Sequence, residues 1–116
     1  MSVRSHGGTG HWRNQRISAI ALVPLGIWFV LTLLSLPDLG FATVTGWLAE
    51  PMQAALLLLF GWCALWHSAQ GVQVVIDDYV VGQLHPRVRW ISRLSHLALA
   101  TLLAWAIARI AFGGAA

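Results

Sequence analysis

The run ISAIALVPLGIWFVLTLLSLP, Ile17 to Pro37, holds no charged residue in 21 positions. A helix rising 1.5 Å per residue needs about 20 apolar residues to cross a hydrocarbon core ~30 Å thick, so this stretch alone is long enough to span a bilayer. A secretory signal peptide has a shorter apolar core, about 7 to 15 residues, closed by a small-residue cleavage site. Here Leu36-Pro37-Asp38 follows instead, and the run reads as a retained span. Pro24 removes one backbone hydrogen bond and permits a kink, which neighbouring helices tolerate in a membrane.

Two further runs repeat the pattern. PMQAALLLLFGWCALWHSAQGVQVVI, Pro51 to Ile76, is equally free of charge, and LSHLALATLLAWAIA, Leu94 to Ala108, lies between Arg93 and Arg109. The third reaches membrane length if both guanidinium heads snorkel to the interfaces. The expected fold is therefore an all-α membrane protein. It is one domain, residues 1–116, with three transmembrane helices at about 17–36, 53–79 and 90–112, and Gly82, His85 and Pro86 breaking the chain between the last two. Residues 1–10, MSVRSHGGTG, read as a loose arm. The connector Gly40 to Glu50 is expected to lie flat in an interface, and Trp12, Trp47 and Trp90 to act as interfacial anchors.

Composition supports the same class. Of 116 residues 58% are hydrophobic and 9% charged, against about 25% charged in a soluble domain. A soluble enzyme, a solvated repeat protein and a disordered tail are excluded. The net charge of +3 comes from seven arginines and four acids. Those arginines sit at span ends, with no basic stripe of the kind that neutralises phosphates, so nucleic acid is not an expected partner. Arg4, Arg13 and Arg16 precede the first span and Arg87, Arg89 and Arg93 lie in or just after the second loop, while the first loop has only Asp38 and Glu50. By the positive-inside rule the N terminus is cytoplasmic and the C terminus on the outer, periplasmic side, with Arg109 the lone outer cation. This places the chain as a multi-pass protein of the inner (cytoplasmic) membrane, in contact with membrane lipid. Cys63 has no second cysteine to pair with and reads as a small packing residue. No phosphate loop or hydrolase elbow is present.

The second span carries the polar chemistry. His67, Gln70, Gln73, Asp77 and Asp78 need partners inside a bundle or cavity. With His67 at zero and 100° per residue, Gly71 falls at about 40° and Asp78 at about 20°, while Leu65, Val72, Val75 and Ile76 form an opposite arc expected to face lipid. A neutral imidazole near mid-span can bind haem iron axially, with Gly71 clearing room for a flat macrocycle; equally, His67 can hydrogen-bond a neighbouring helix. His96 is the other intramembrane histidine, expected nearer the cytoplasmic side and so at a different depth, and a second axial ligand is expected from another subunit. Tyr79 can donate a hydrogen bond to a quinone oxygen with Asp78 beside it, or the pair can be a simple interfacial helix end. Tyr79 falls about 120° from His67, so one site can use both only if the helix unwinds or the bundle wraps around it. Arg16 and Arg13, with His11 nearby, can pair with haem propionates or Asp78 or can report topology alone; Arg16, which abuts the span, carries the functional weight.

The motif His67-Ser-Ala-Gln-Gly71 followed by Asp78-Tyr79, with ten residues between His67 and Asp78, resembles the second helix of the D-type hydrophobic membrane-anchor subunit of bacterial succinate dehydrogenase, respiratory complex II. The stretch His11 to Ala19, HWRNQRISA, with an Arg-x-Ser/Thr-Ala element at Arg16 to Ala19, resembles the start of the first helix in that family. The resemblance implies that His67 is one axial ligand of a haem b whose other ligand comes from a companion C-type cytochrome b anchor subunit. It implies that Tyr79 hydrogen-bonds ubiquinone, that Asp78 supports the quinone pocket, and that Arg16, with His11 nearby, lies near the haem propionates and quinone mouth. It further implies a cytoplasmic flavoprotein subunit with covalent FAD and an iron–sulfur subunit docked on the inner face, passing electrons from succinate to quinone. An anchor of a quinol:fumarate reductase, and a structural membrane adapter without redox role, are the competing expectations.

Overall fold

The computed structural model describes the backbone of residues 5–113 and the side chains of residues 10–113. They form four helices: α1 (Ser5–Ser35), α2 (Phe41–Leu48), α3 (Pro51–Tyr79) and α4 (Leu84–Phe112). Three of them contain stretches long and apolar enough to cross a membrane, Gly10–Ser35, Pro51–Tyr79 and Leu84–Phe112, of 26, 29 and 29 residues. At 1.5 Å per residue these are about 39 to 44 Å long, more than a ~30 Å hydrocarbon core requires. The excess is taken up by tilt or by protruding ends.

The elements begin and end differently from the sequence expectation in three places. Part of the arm expected at residues 1–10 lies outside the described residues, but Ser5 to Gly10 continue α1; once a long helix exists, each added residue costs only propagation, not nucleation. Pro24 lies inside α1 without interrupting it. The start of α4 comes at Leu84, about six residues early, because Pro86 falls in its first turn, where its missing N–H has no partner to lose. The break is confined to Val80–Gln83, where Gly82 takes φ +70°, a left-handed conformation nearly free only to glycine.

The connector expected to lie flat is the helix α2, which packs on α3 and α4 and buries Leu48. Trp47, expected as an interfacial anchor, instead stacks on Trp28 with ring centroids 6.1 Å apart. Trp12 and Trp90 are exposed, and each has an arginine over its ring, Arg16 at 4.9 Å and Arg93 at 6.0 Å. That arrangement suits an indole and a cation sharing the headgroup layer.

Between α1 and α2, the Asp38 carboxylate accepts hydrogen bonds from the Gly40 N–H at 2.7 Å and the Thr43 hydroxyl at 2.8 Å. The Gly40 bond above all, with the Thr43 bond, holds its pKa below the ordinary aspartate value. A depressed carboxylate stabilises the turn above its ordinary pKa, and that contribution disappears as pH falls through the lowered value. In Asp38→Ala the Gly40 amide is therefore expected to exchange with solvent faster than in wild type at neutral pH, with the difference closing in acid; hydrogen exchange measured against pH checks this.

α3 is the middle helix. α1 runs antiparallel to it, with Phe29 and Phe60 rings 5.1 Å apart and Gly26 facing Phe60. α4 runs antiparallel on another side, where the Trp62 indole N–H donates to the Ala100 carbonyl at 3.0 Å. A side chain at Gly61 would run into Leu103, so glycine permits the close helix approach that membrane packing favours. On the arc expected to face lipid Val72 and Val75 are exposed, whereas Ile76 is only 4% exposed. Elsewhere large apolar side chains such as Leu34, Val81, Leu97 and Phe112 point outward, a surface suited to lipid and partner helices and not to water.

Candidate functional site

The α1–α3 seam holds His67. Its Nδ1 lies 3.0 Å from the Ser18 Oγ, and the Ser18 hydroxyl donates to the Gln15 carbonyl at 2.9 Å. Ser18 is fully buried, with 0% exposure. His67 is half-buried, and its Nε2 has no hydrogen-bond partner among the described residues. The two readings of His67 are thus compatible: one ring nitrogen joins two helices, and the other is left for a ligand. One turn further on, a Cβ at Gly71 would meet only the Gln15 amide nitrogen, at 4.0 Å. Packing within the chain does not demand glycine there, so the bare backbone beside His67 leaves a space that a flat group from outside can occupy.

His96 stands differently. It was expected at a different depth from His67, but the early start of α4 carries it deeper, to lie level with Ser68. The Ser92 carbonyl can only accept, so the His96 Nδ1–H donates to it at 2.8 Å; the neutral ring then accepts from the Ser68 hydroxyl through Nε2, at 3.2 Å. Both nitrogens are engaged. His96 clasps α3 to α4, and His67 is the intramembrane histidine with a nitrogen to spare.

At the end of α3, Asp77 accepts from the Gln73 amide at 2.7 Å and pairs with the His85 Nε2 at 2.8 Å, closing the α3–α4 turn. Asp78 and Tyr79 are exposed, Tyr79 by 80%, and neither has a hydrogen-bond partner among the described residues. Asp78 makes no ion pair with Arg13 or Arg16 there; the Arg16 guanidinium lies over Trp12 instead. The register set by Ser18 against His67 and Gln15 beside Gly71 puts Arg16 level with Gln70, one turn from His67 toward the Asp78 end. Gln70 is 8% exposed and both its amide atoms are unpartnered, as is the buried Nε2 of His11. α3 stays helical to Tyr79, so His67 and Tyr79 are separated by about 18 Å of helix rise. No unwinding merges them: His67 stands in the middle of α3 and Tyr79 at its C-terminal end.

Three contributors escaped the sequence reading: Ser18 as the partner of His67, Gln15 behind it, and His85 on Asp77. A signal for the first was available, since Ser18 is the one hydroxyl between Arg16 and Thr32 in an otherwise apolar span.

Residues 2–108 match the family described as succinate dehydrogenase/fumarate reductase transmembrane subunit. The chain belongs to that family. Several similar proteins are named succinate dehydrogenase hydrophobic membrane anchor subunit. That of Rickettsia bellii is 34% identical over 73 residues, 63% of this chain and 58% of the relative. The Rickettsia felis protein is 31% identical over 75 residues, 65% and 62% of the two chains, and the Paracoccus denitrificans protein 26% identical over 109 residues, 94% and 84%. The chain spans about three fifths of the length of the Rickettsia relatives. With three membrane-length helices and anchor subunits for relatives, this family member is a multi-pass membrane protein, in bacteria of the inner membrane. The relatives' name makes them subunits of an enzyme complex.

Proposed function

We propose that this chain anchors a succinate:ubiquinone oxidoreductase, co-ligates a haem b through His67 and forms part of the ubiquinone-reduction site with Tyr79 and Asp78. The observation that carries the haem assignment is the half-engaged imidazole: Nδ1 is held by Ser18 while Nε2 has no partner among the described residues, the donor arrangement of a metal-ligating histidine. Gly71 supplies clearance beside it. A haem b bound there supplies a one-electron acceptor within the membrane. Both His96 nitrogens are engaged, and in this reading the second axial ligand comes from a companion C-type anchor subunit. Arg16, one turn away toward the helix end, is placed for a propionate or the quinone mouth, and His11, with its buried unpartnered nitrogen, lies further along the same seam.

The N terminus faces the cytoplasm in this reading, since six of the seven arginines then lie inside. The Asp78–Tyr79 end faces the same way. There a flavoprotein subunit carrying FAD and an iron–sulfur subunit dock, and electrons from succinate reach the quinone held against the Tyr79 phenol. The names of the relatives favour succinate oxidation over a quinol:fumarate reductase. Purifying the tagged chain from its native membrane tests the proposal: a flavoprotein, an iron–sulfur protein and a second anchor are expected to co-purify with a reduced-minus-oxidised b-type haem spectrum. Recovery of the chain with none of these would leave the structural adapter.

A further inference from the structure

We infer that Ser18 is a positioning residue that selects the tautomer of His67, keeping the proton on Nδ1 and the lone pair of Nε2 directed away from α1 for the metal. The inference rests on the haem reading above and adds to it a residue that touches neither haem nor quinone. A serine hydroxyl has a single proton to give. The Gln15 carbonyl, 2.9 Å from Ser18 Oγ, can only accept, so that proton lies on the Gln15 side. The remaining contact of the same oxygen, 3.0 Å to His67 Nδ1, must then be one in which the imidazole N–H donates and the hydroxyl accepts. In a neutral ring only one nitrogen carries hydrogen, so Nε2 is left as a bare lone pair.

Burial makes the arrangement decisive. Ser18 has no exposed surface, so water cannot replace its oxygen. Both partners are on regular helix, Ser18 and Gln15 three residues apart on α1 and His67 in the middle of α3, so the relay is built into the packing of two spans and not into a loop. A hydrogen bond donated by the distal ring nitrogen orients a metal-bound imidazole and raises its basicity. A more basic ligand gives more charge to the metal and favours its oxidised form. Without Ser18 the buried Nδ1–H loses its acceptor, and the tautomer with hydrogen on Nε2, which cannot ligate through that nitrogen, becomes accessible.

The experiment is a redox titration of the b-type haem in the purified complex, followed optically, with haem content per flavin measured alongside. Ser18→Ala is expected to move the haem midpoint potential positive and to weaken haem retention by about tenfold or more, while Ser18→Thr, which keeps the hydroxyl, restores wild-type values. Where Ser18→Ala does not assemble, Ser18→Cys keeps the side chain in place with a poor acceptor and is expected to move the potential in the same direction. A potential and haem content unmoved in the assembled Ala or Cys variant overturn the role of Ser18 while leaving the haem reading intact. A b-type spectrum that persists unchanged in an assembled His67→Ala complex overturns the haem reading and this inference with it.

Discussion

His67→Ala is expected to eliminate the b-type haem signal from the assembled complex while leaving the chain in the membrane. The contrast follows from magnitudes. Within the chain the imidazole makes one interhelical hydrogen bond, to Ser18, and such bonds between membrane helices average only about 0.6 kcal/mol. α1 and α3 also meet through Phe29, Gly26 and Phe60, so the pairing of the spans does not depend on His67. Loss of an axial ligand is a different order of effect, since the metal loses a direct bond; the other unpartnered imidazole nitrogen of the described seam, His11 Nε2, lies about two turns of α1 beyond Ser18 and is not placed to replace it. Serine 18 keeps its bond to Gln15 and no buried hydroxyl is orphaned. The measurement is the reduced-minus-oxidised spectrum of the purified complex, normalised to flavin. A spectrum of wild-type intensity would remove His67 from the ligand set, and haem restored to the same variant by added imidazole would show that the missing group is an imidazole ligand.

How far the sequence foretold these sites depends on what each residue needs. The spans were legible because a bilayer demands about 20 apolar residues in a row, a local property of the chain, and α1, α3 and α4 take up the three charge-free runs but for Leu36 and Pro37 at the end of the first. Their ends were less so. The helix α4 starts at Leu84 because proline is harmless in a first turn, a matter of position within the helix and not of residue type, and the six-residue change relocates His96 to the level of His67. Contacts between helices were the least legible. On α3 the polar face packs on α1 at His67 and buries Gln70 but leaves Asp78 exposed, and of the arc expected to face lipid Val72 and Val75 are exposed while Ile76 is buried, because periodicity within one helix shows a polar side without showing how many neighbours the helix has. Trp47 illustrates the same point, since an interfacial tryptophan and one stacked on Trp28 have identical sequence signatures. Ser18 was visible only as part of a motif, because its role depends on a residue 49 positions away.

Tyr79→Phe is expected to impair quinone reduction while leaving the assembly intact. The phenol is 80% exposed at the end of α3 and bonds to nothing among the described residues, so removing its oxygen costs the fold no intrachain contact. Any effect must come from what docks there. If the phenol donates to a quinone carbonyl oxygen as electrons arrive, its loss removes a hydrogen bond that strengthens as charge develops on that oxygen, and such bonds in water-excluded sites are worth roughly 1.5 to 3 kcal/mol. At 1.36 kcal/mol per factor of ten, succinate-dependent quinone reduction in Tyr79→Phe is expected to fall by about tenfold to a hundredfold. Succinate oxidation by a water-soluble dye, which takes electrons before the membrane, is expected to stay at the wild-type rate. The haem spectrum is expected to stay unchanged as well, because His67 lies about 18 Å away along a continuous helix. The pattern distinguishes three cases: loss of both activities marks a docking defect, loss of the haem band marks a distorted seam, and loss of quinone reduction alone assigns the phenol to the quinone. Wild-type quinone kinetics would return Tyr79 to the role of an interfacial anchor, and Asp78 would then have no reason to be grouped with it.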